Sequence, residues 1–492
     1  MSWFYKSDQK PAVANLCTLA GVSWVRDRLS WGEMEKKPGV FEAETRYDES
    51  ARVQSAAGLR VLQVNHSSPS WYRQGGRFPD DLRDLHRFYR EMARRWKGTV
   101  AAFEPWNEAD IPMFGGHTGA EMASLQKAAY FGLKAGNPEV IACLNVFAEG
   151  RQASLDDLAA NQAWAYTDTC NLHHYLAADK FAPRYAAFRE ISGGRPLWTS
   201  EFAMPVQWSG DAKVQEVSDH DLRIQADHLV MAFAAALHEG TLAYYFMLPH
   251  YVEGKTQFGI IRRDLTPRPA YLSLAAVGRL LADAKPVGRL SAAEPTVRGY
   301  VFRAKPDGVE KTVLVAWSTG AAKPLALSGD VFDAIGRPLG NRAEIALSPS
   351  PLFVVMPAAE AGKIAITPAP AMPPRQDAAP SPVVLQAIGG KDRTALDSSS
   401  YRVAPGVKQQ IPIFVYNFGQ VPATLKLSIE KPEDWSADFP ASAEVKPGDR
   451  LPLTLEVTSP QPGSLGTFTM RAEAPGIPAA VLSIRLLPAG AK

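Results

Sequence analysis

The sequence reads as an α/β chain, a (β/α)8 barrel followed by two small all-β sandwich domains, and three observations lead there. Residues 10–285 alternate short β-branched runs with longer amphipathic stretches, the signature of βα units on a parallel sheet. Beyond 285 the pattern turns to short period-2 runs separated by turns. Between two such β-rich stretches fall Pro368, Pro370, Pro373, Pro374, Pro380 and Pro382, a composition that favours extended, semi-rigid backbone. The 492 residues, at ~150 per domain, point the same way, to about three domains.

Taken in order, the strand candidates of the first part are Trp24–Leu29, Val61–Asn65, Val100–Pro105, Val140–Val146, Cys170–Tyr175, Leu197–Phe202 and Leu242–Leu248. A short first strand is expected within Ser2–Tyr5, which makes eight, the count of a closed barrel. An open doubly wound sheet is the competitor, but no Gly-rich nucleotide turn follows the first strands. Among the helices, Leu82, Leu85, Phe88, Tyr89, Met92 and Trp96 recur at one-turn steps and predict a buried face. Another helix is predicted from Ile224 to about His238, closed by Gly240.

After the barrel, Thr296–Arg303, Thr312–Trp317, Val331–Gly336 and Val354–Met356 predict a first sandwich. Alternation returns in Ile411/Ile413/Val415, Leu425/Leu427/Ile429 and Leu451/Leu453/Leu455/Val457, which predict an Ig-like second one. The expected divisions are therefore 1–285, 286–360, an Ala/Pro linker at 361–382, and 383–492.

Composition narrows the function classes. Lys plus Arg is 53 and Asp plus Glu is 51, a net charge of +2 with no electrostatic footprint for nucleic acid. No apolar run approaches the ~20 residues that span a bilayer. Cys17, Cys143 and Cys170 are odd in number and lack metal-knuckle spacing, so they read as small buried hydrophobes. The N-terminus carries no signal-peptide pattern; a secreted or periplasmic location is the expectation for the mature chain.

In a barrel, reacting groups stand at the C-terminal ends of the strands. Polar residues cluster there: Arg26, His66, Trp106-Asn107-Glu108, His173-His174-Tyr175 and Thr199-Ser200-Glu201. Two glutamates at near-opposite strand ends suit glycosidic cleavage, one as acid, the other as nucleophile or base to water. Strand alternation puts His173 and Tyr175 on one face and His174 on the other. A Tyr175 hydroxyl and Arg26 could each support one carboxylate, while Asn107 suits a sugar hydroxyl. Glu104 reads as a buried ion-pair partner rather than a catalyst. Aromatic candidates for sugar stacking are Trp31, Trp71, Tyr72, Trp106, Phe114, Trp208, Tyr245, His250 and Tyr251, and Arg73 or Arg77 could meet an acidic sugar. No H-E-x-x-H, G-x-S-x-G or phosphate-loop motif is present, and no cofactor is expected. A metal site from His66, His173 and a carboxylate is the alternative for these groups.

These motifs resemble those of retaining glycoside hydrolases of clan A. Phe103-Glu104-Pro105-Trp106-Asn107-Glu108 is similar to the clan's fourth-strand motif, and Trp198-Thr199-Ser200-Glu201-Phe202 to its seventh-strand motif. The H-x-Y of His173 and Tyr175, Pro69-Ser70-Trp71-Tyr72, and Phe258-Gly259-Ile260-Ile261 through Tyr271 add to the likeness, which is nearest to family 39, with family 5 behind. The resemblance implies a poly- or oligosaccharide substrate, with Glu201 as nucleophile and Glu108 as acid/base; the candidates for binding substrate are Arg26, His66, Trp71, Trp106, Asn107, His173, Tyr175 and Tyr245, although the clan often has Trp where the last strand here offers Tyr244, Tyr245 and Phe246. A transglycosylase and a silent carbohydrate-binding protein on the same scaffold are the alternatives.

Overall fold

A computed structural model describes residues 3–72, 77–207, 216–292, 294–460 and 463–490. Strands β1 (Trp24–Leu29), β2 (Arg60–Asn65), β3 (Ala102–Glu104), β4 (Ile141–Ala142), β5 (Cys170–His174), β6 (Leu197–Phe202) and β7 (Leu242–Tyr245) alternate with helices. The helices are α1 (Lys10–Leu19), α2 (Arg46–Ala56), α3 (Leu82–Arg95), α4 (Gly119–Gly136), α5 (Gln152–Ala160), α6 (Phe181–Ile191), α7 (Asp219–His238) and α8 (Pro269–Leu280). Strands β1 to β4 form one parallel sheet in chain order and β5 to β7 another; a parallel bridge from Cys143 to Thr169 joins them.

The strand predicted within Ser2–Tyr5 is corrected. Phe4–Lys6 is one turn of 3-10 helix, and Trp3 before it is left-handed (φ 41°), which extended pairing does not tolerate. The segment still lies between the first and last strands. The Phe4 N–H donates to Asp27 on β1, and Trp3 packs edge-on against Phe246 just past β7.

Inward side chains from both sheets share one apolar layer of Trp24, Leu62, Ala102, Ile141, Cys143, Trp198, Leu242 and Tyr244. The Trp24 and Trp198 rings, from β1 and β6, meet at 5.0 Å, so the sheet curls round on itself. Outward residues meet the helices, where α3 buries Leu82, Leu85, Phe88, Tyr89 and Met92 as its periodicity predicts. Each such side chain contributes about 1.5–3 kcal/mol. Helix α7 stops at Gly240, whose φ of 75° suits a residue without Cβ.

Past α8 comes a seven-stranded antiparallel sheet in the order 338–342, 329–332, 352–357, 311–318, 297–304, 285–290, 366–368. Facing it is the two-stranded ladder of Lys323–Leu325 with Ile345–Leu347, packed over Val301, Leu314 and Val354. The expected linker therefore starts too early: Ala358–Lys363 is 3-10 helix, and Ile366–Pro368 pairs with the Lys285–Leu290 edge. A proline is tolerated there because an edge strand leaves one side unpaired. The remaining spacer is fastened down, with Gln376 donating to Gly193 (2.9 Å) and Arg195 Nη1 to the Gln376 carbonyl (2.6 Å).

The last domain faces a four-stranded sheet against a six-stranded one over Leu385, Ile413, Val415, Leu455, Phe468 and Ile484. It rests on the helices of the first domain. Asn161 exchanges two hydrogen bonds with the Ser483 backbone (2.9 Å each), and Arg485 pairs with Asp157 at 2.9 Å. Phe418 stacks on His86 with ring centroids 4.8 Å apart. Cys17, Cys143 and Cys170 are buried free thiols. Among the described residues, no helix is long and apolar enough to cross a membrane.

Candidate active site

The ends of β3, β5 and β6 meet around one guanidinium carried midway along β1. Arg26, fully buried on β1, donates Nε to Glu104 (2.6 Å), Nη1 to Glu201 (2.8 Å) and Nη2 to the Asn107 side-chain oxygen (2.7 Å). Glu104 takes a second bond from Asn171 at 2.6 Å, which makes it the buried ion-pair partner that its position predicts. Among the described residues, the Asn107 amide NH2 has no hydrogen-bond partner.

Glu201 reaches this centre through an irregularity in β6. Trp198 faces inward and Thr199 outward, toward Tyr185 and Thr241, so strict alternation would turn Glu201 away. The pairing slips by one residue, Leu172 opposing Thr199 and His173 opposing Glu201. The extra residue, Ser200, also turns to the site, where its hydroxyl meets His173 Nε2 at 3.1 Å.

Glu108 stands past β3 in left-handed backbone (φ 44°), a conformation that costs energy unless its surroundings enforce it. They do. Two residues on, the Asp110 carboxylate accepts the N–H groups of Ala148, Glu149 and Gly150 at 2.8–2.9 Å. Trp106 Nε1 donates to the Phe114 carbonyl (2.9 Å), and the buried Arg77 guanidinium to that of Gly116 (3.1 Å).

The two glutamates differ in surroundings. Burial pushes the Glu108 carboxyl up to about 7, against the opposing pull of Arg26, with Asp110 and Glu253 pushing the same way as burial. Glu201 instead has the Arg26 counter-charge and the Tyr175 hydroxyl, which donates to its other oxygen. His173 Nδ1 meets Glu108 at 3.0 Å, and burial lowers that imidazole to about 4, so the ring is neutral. One oxygen each of Glu108 and Glu201 and a nitrogen of His173 lie within 4.8 Å of one another. Donors of these types could hold a cation, but His173 spends both ring nitrogens on Glu108 and Ser200, and His66 is not in the group.

The structure thus brings Arg26, Asn107, Glu108, His173, Tyr175 and Glu201 into one network. His174 faces the opposite way, bonded to Tyr185 at 3.1 Å. Of the other predicted residues, His66 edges against Phe114 (5.4 Å) at the mouth. Trp106 is corrected: its ring is fully buried against Phe78 and anchors the loop rather than facing a sugar. Tyr245 is corrected likewise, wedged between Phe202 and Phe233 on the helix side. Trp71 is half-buried with its Nε1 on the Glu35 carbonyl (3.1 Å), and Trp31 is fully buried beside it. Arg77 faces carbonyls and Glu121, not solvent. Trp208 and Arg73 lie outside the described residues. Reasoning from sequence missed Trp3, Phe246 and Phe258, which wall the Tyr175 side; taking 2–5 for a strand hid the first of them.

No family model matches the chain, and no curated protein does. Among solved structures, a family 39 glycoside hydrolase from Bacteroides cellulosilyticus WH2 is similar with TM-score 0.57 and 16% identity, over 71% of this chain and 79% of that one. A GH30 endoxylanase from Clostridium papyrosolvens C71 is similar with TM-score 0.52 and 16% identity, over 71% of this chain and 93% of that one. The likeness to clan A glycoside hydrolases read from the motifs therefore holds at the level of the fold.

Proposed function

We propose that this chain is a retaining glycoside hydrolase acting on a poly- or oligosaccharide, with Glu201 as nucleophile and Glu108 as acid/base. The carrying observation is the carboxylate pair, oxygens within 4.8 Å, in unlike surroundings. Retaining enzymes keep their two carboxyl groups about 5–5.5 Å apart, inverting ones ~6.5–9.5 Å so that water fits between. In the first step Glu201 attacks the anomeric carbon while Glu108, protonated because it is buried, gives its proton to the leaving oxygen. In the second, Glu108 takes a proton from water, which displaces the sugar from Glu201. Arg26 and Tyr175 aim the nucleophile and balance its charge; the Asn107 amide suits a sugar hydroxyl. The buried sandwich contacts support a structural role for the last domain.

The test is a hydrolysis screen of polysaccharides and aryl glycosides, wild type beside Glu201→Gln. Turnover confined to the wild type is the expected result; equal rates would remove the assignment. Azide should restore turnover to Glu201→Gly with inverted product, and restoration in Glu108→Gly alone would reverse the two roles.

A further inference from the structure

The walls of the site end in a corner of unbalanced positive charge. From Glu201 the Tyr175 ring leads to Phe246 (6.0 Å) and Phe258 (5.6 Å), and Phe246 leads to Trp3 (6.2 Å) and Tyr251 (5.6 Å). Tyr175 is 38% exposed and Trp3 and Tyr251 are half-buried, so this aromatic face is open to a ligand. At its far end Lys6 Nζ lies 3.9 Å from the Trp3 ring centre. Within electrostatic reach of Lys6, Arg28 is two residues beyond Arg26 on β1, on the same face, beside the Tyr5 hydroxyl. Next to it, His66 keeps a buried Nε2 without a hydrogen-bond partner among the described residues.

The nearby cations are otherwise matched. Arg46 pairs with Glu33 at 2.6 Å, and Arg26 is satisfied by Glu104 and Glu201. Among the described residues, neither Lys6 nor Arg28 has a carboxylate within ion-pair distance. Glu253, beside this wall, is held by the Tyr251 hydroxyl at 2.6 Å.

We infer that the site takes an acidic glycan, one sugar lying on the Trp3–Tyr251 face while Lys6 and Arg28 hold its carboxylate or sulfate beside His66. This deepens the glycosidase reading and rests on it. Burial and then Arg28 lower both Lys6 and His66 from their ordinary values, so in the free protein Lys6 and Arg28 repel one another and disfavour a further charge on His66. An anionic substituent relieves that repulsion in a partly dehydrated corner, where charge pairs are stronger than in water. A neutral sugar leaves both cations unmatched, and aromatic walls with a few placed polar groups are what select a ligand's orientation.

The test is calorimetric binding to the full chain carrying Glu201→Gln, with and without Lys6→Gln and Arg28→Gln together. The probes are trigalacturonate, a mannuronate trimer and a hyaluronan tetrasaccharide as carboxylates, a carrageenan tetrasaccharide as sulfate ester, and xylotriose, cellotriose and mannotriose as neutral controls. We expect at least one acidic probe to bind more tightly than every neutral one. The paired substitution should weaken it by about 10–100-fold and flatten its salt dependence. Carboxylate-only or sulfate-only binding each upholds the inference and names the group. A neutral probe binding best, acidic binding indifferent to the substitutions, or no acidic binding at all overturns it. Wild-type hydrolysis of a neutral glycan that needs Glu201 would sink this inference and keep the glycosidase; acidic binding without turnover on any probe would do the reverse.

Discussion

Arg26 on β1 and Glu201 on β6 meet at 2.8 Å, and this ion pair closes the space between the two halves of the curled sheet. The same guanidinium holds Glu104 at 2.6 Å, with no exposed surface on either side chain. A buried cation shared by two carboxylates is costly to bury but far costlier to interrupt.

Removing Arg26 should therefore be felt first as stability. Arg26→Met leaves Glu104 charged or forced to take up a proton, at about 3–5 kcal/mol. Urea unfolding measures that loss; a midpoint equal to wild type would mean that the pair is not closed in solution. Arg26→Lys restores a charge but cannot serve Glu104, Glu201 and Asn107 at once, so stability should recover further than turnover.

Tyr175 offers the opposite profile. The residue is 38% exposed and its hydroxyl donates to Glu201. Tyr175→Phe should lower kcat/KM by about 10–100-fold, the worth of one hydrogen bond to a charged group, with little change in Tm. A drop in Tm without a drop in turnover would make Tyr175 a packing residue.

The Glu108 carboxyl, raised to about 7 chiefly by burial, sets the alkaline side of the activity profile. A general acid works only while protonated, so log kcat/KM should fall with unit slope as pH rises through about 7. Asp110 adds to that rise and latches the loop to three N–H groups. Asp110→Asn removes its charge and should move the alkaline limb to lower pH, along with a loss of ~1–3 kcal/mol from the weakened latch. A limb that stays in place would exclude Glu108 as the titrating acid.

How far these features could be read from the sequence depended on whether local rules decided them. Strands β1 and β6 end where hydrophobicity and β-branching place them, and the buried face of α3 follows from one-turn spacing alone. Alternation on β5 is regular, so His173 and Tyr175 diverge from His174 as period 2 demands. On β6 the orientation of Glu201 depends on a slip against β5 that no spacing within Leu197–Phe202 announces. Trp106 and Tyr245 lie beside the site in sequence, yet partners distant in the chain, Phe78 and Phe233, claim their rings for the core. The N-terminal segment has the composition of a strand, but left-handed Trp3 breaks it. The spacer reads as free because composition cannot reveal that Gly193 and Arg195 bind it.

Lys127 provides a test of how the last domain is seated. It lies on α4, 2% exposed, with Nζ donating to the Val481 carbonyl of the C-terminal sandwich at 2.7 Å. Burial lowers its ammonium from 10.5 to about 7. Between those two values the unfolded chain binds more protons than the folded one, so this group makes stability rise with pH and level off above 10.5. Lys127→Met abolishes that slope and leaves the Val481 carbonyl unpaired at a cost of ~1–3 kcal/mol. Wild type should therefore gain on the variant from pH 7.5 to 10 and be the more stable of the two at pH 10, as thermal unfolding at several pH values would record. A difference in Tm that does not vary with pH would mean that Lys127 is hydrated, and that the sandwich does not seal against α4.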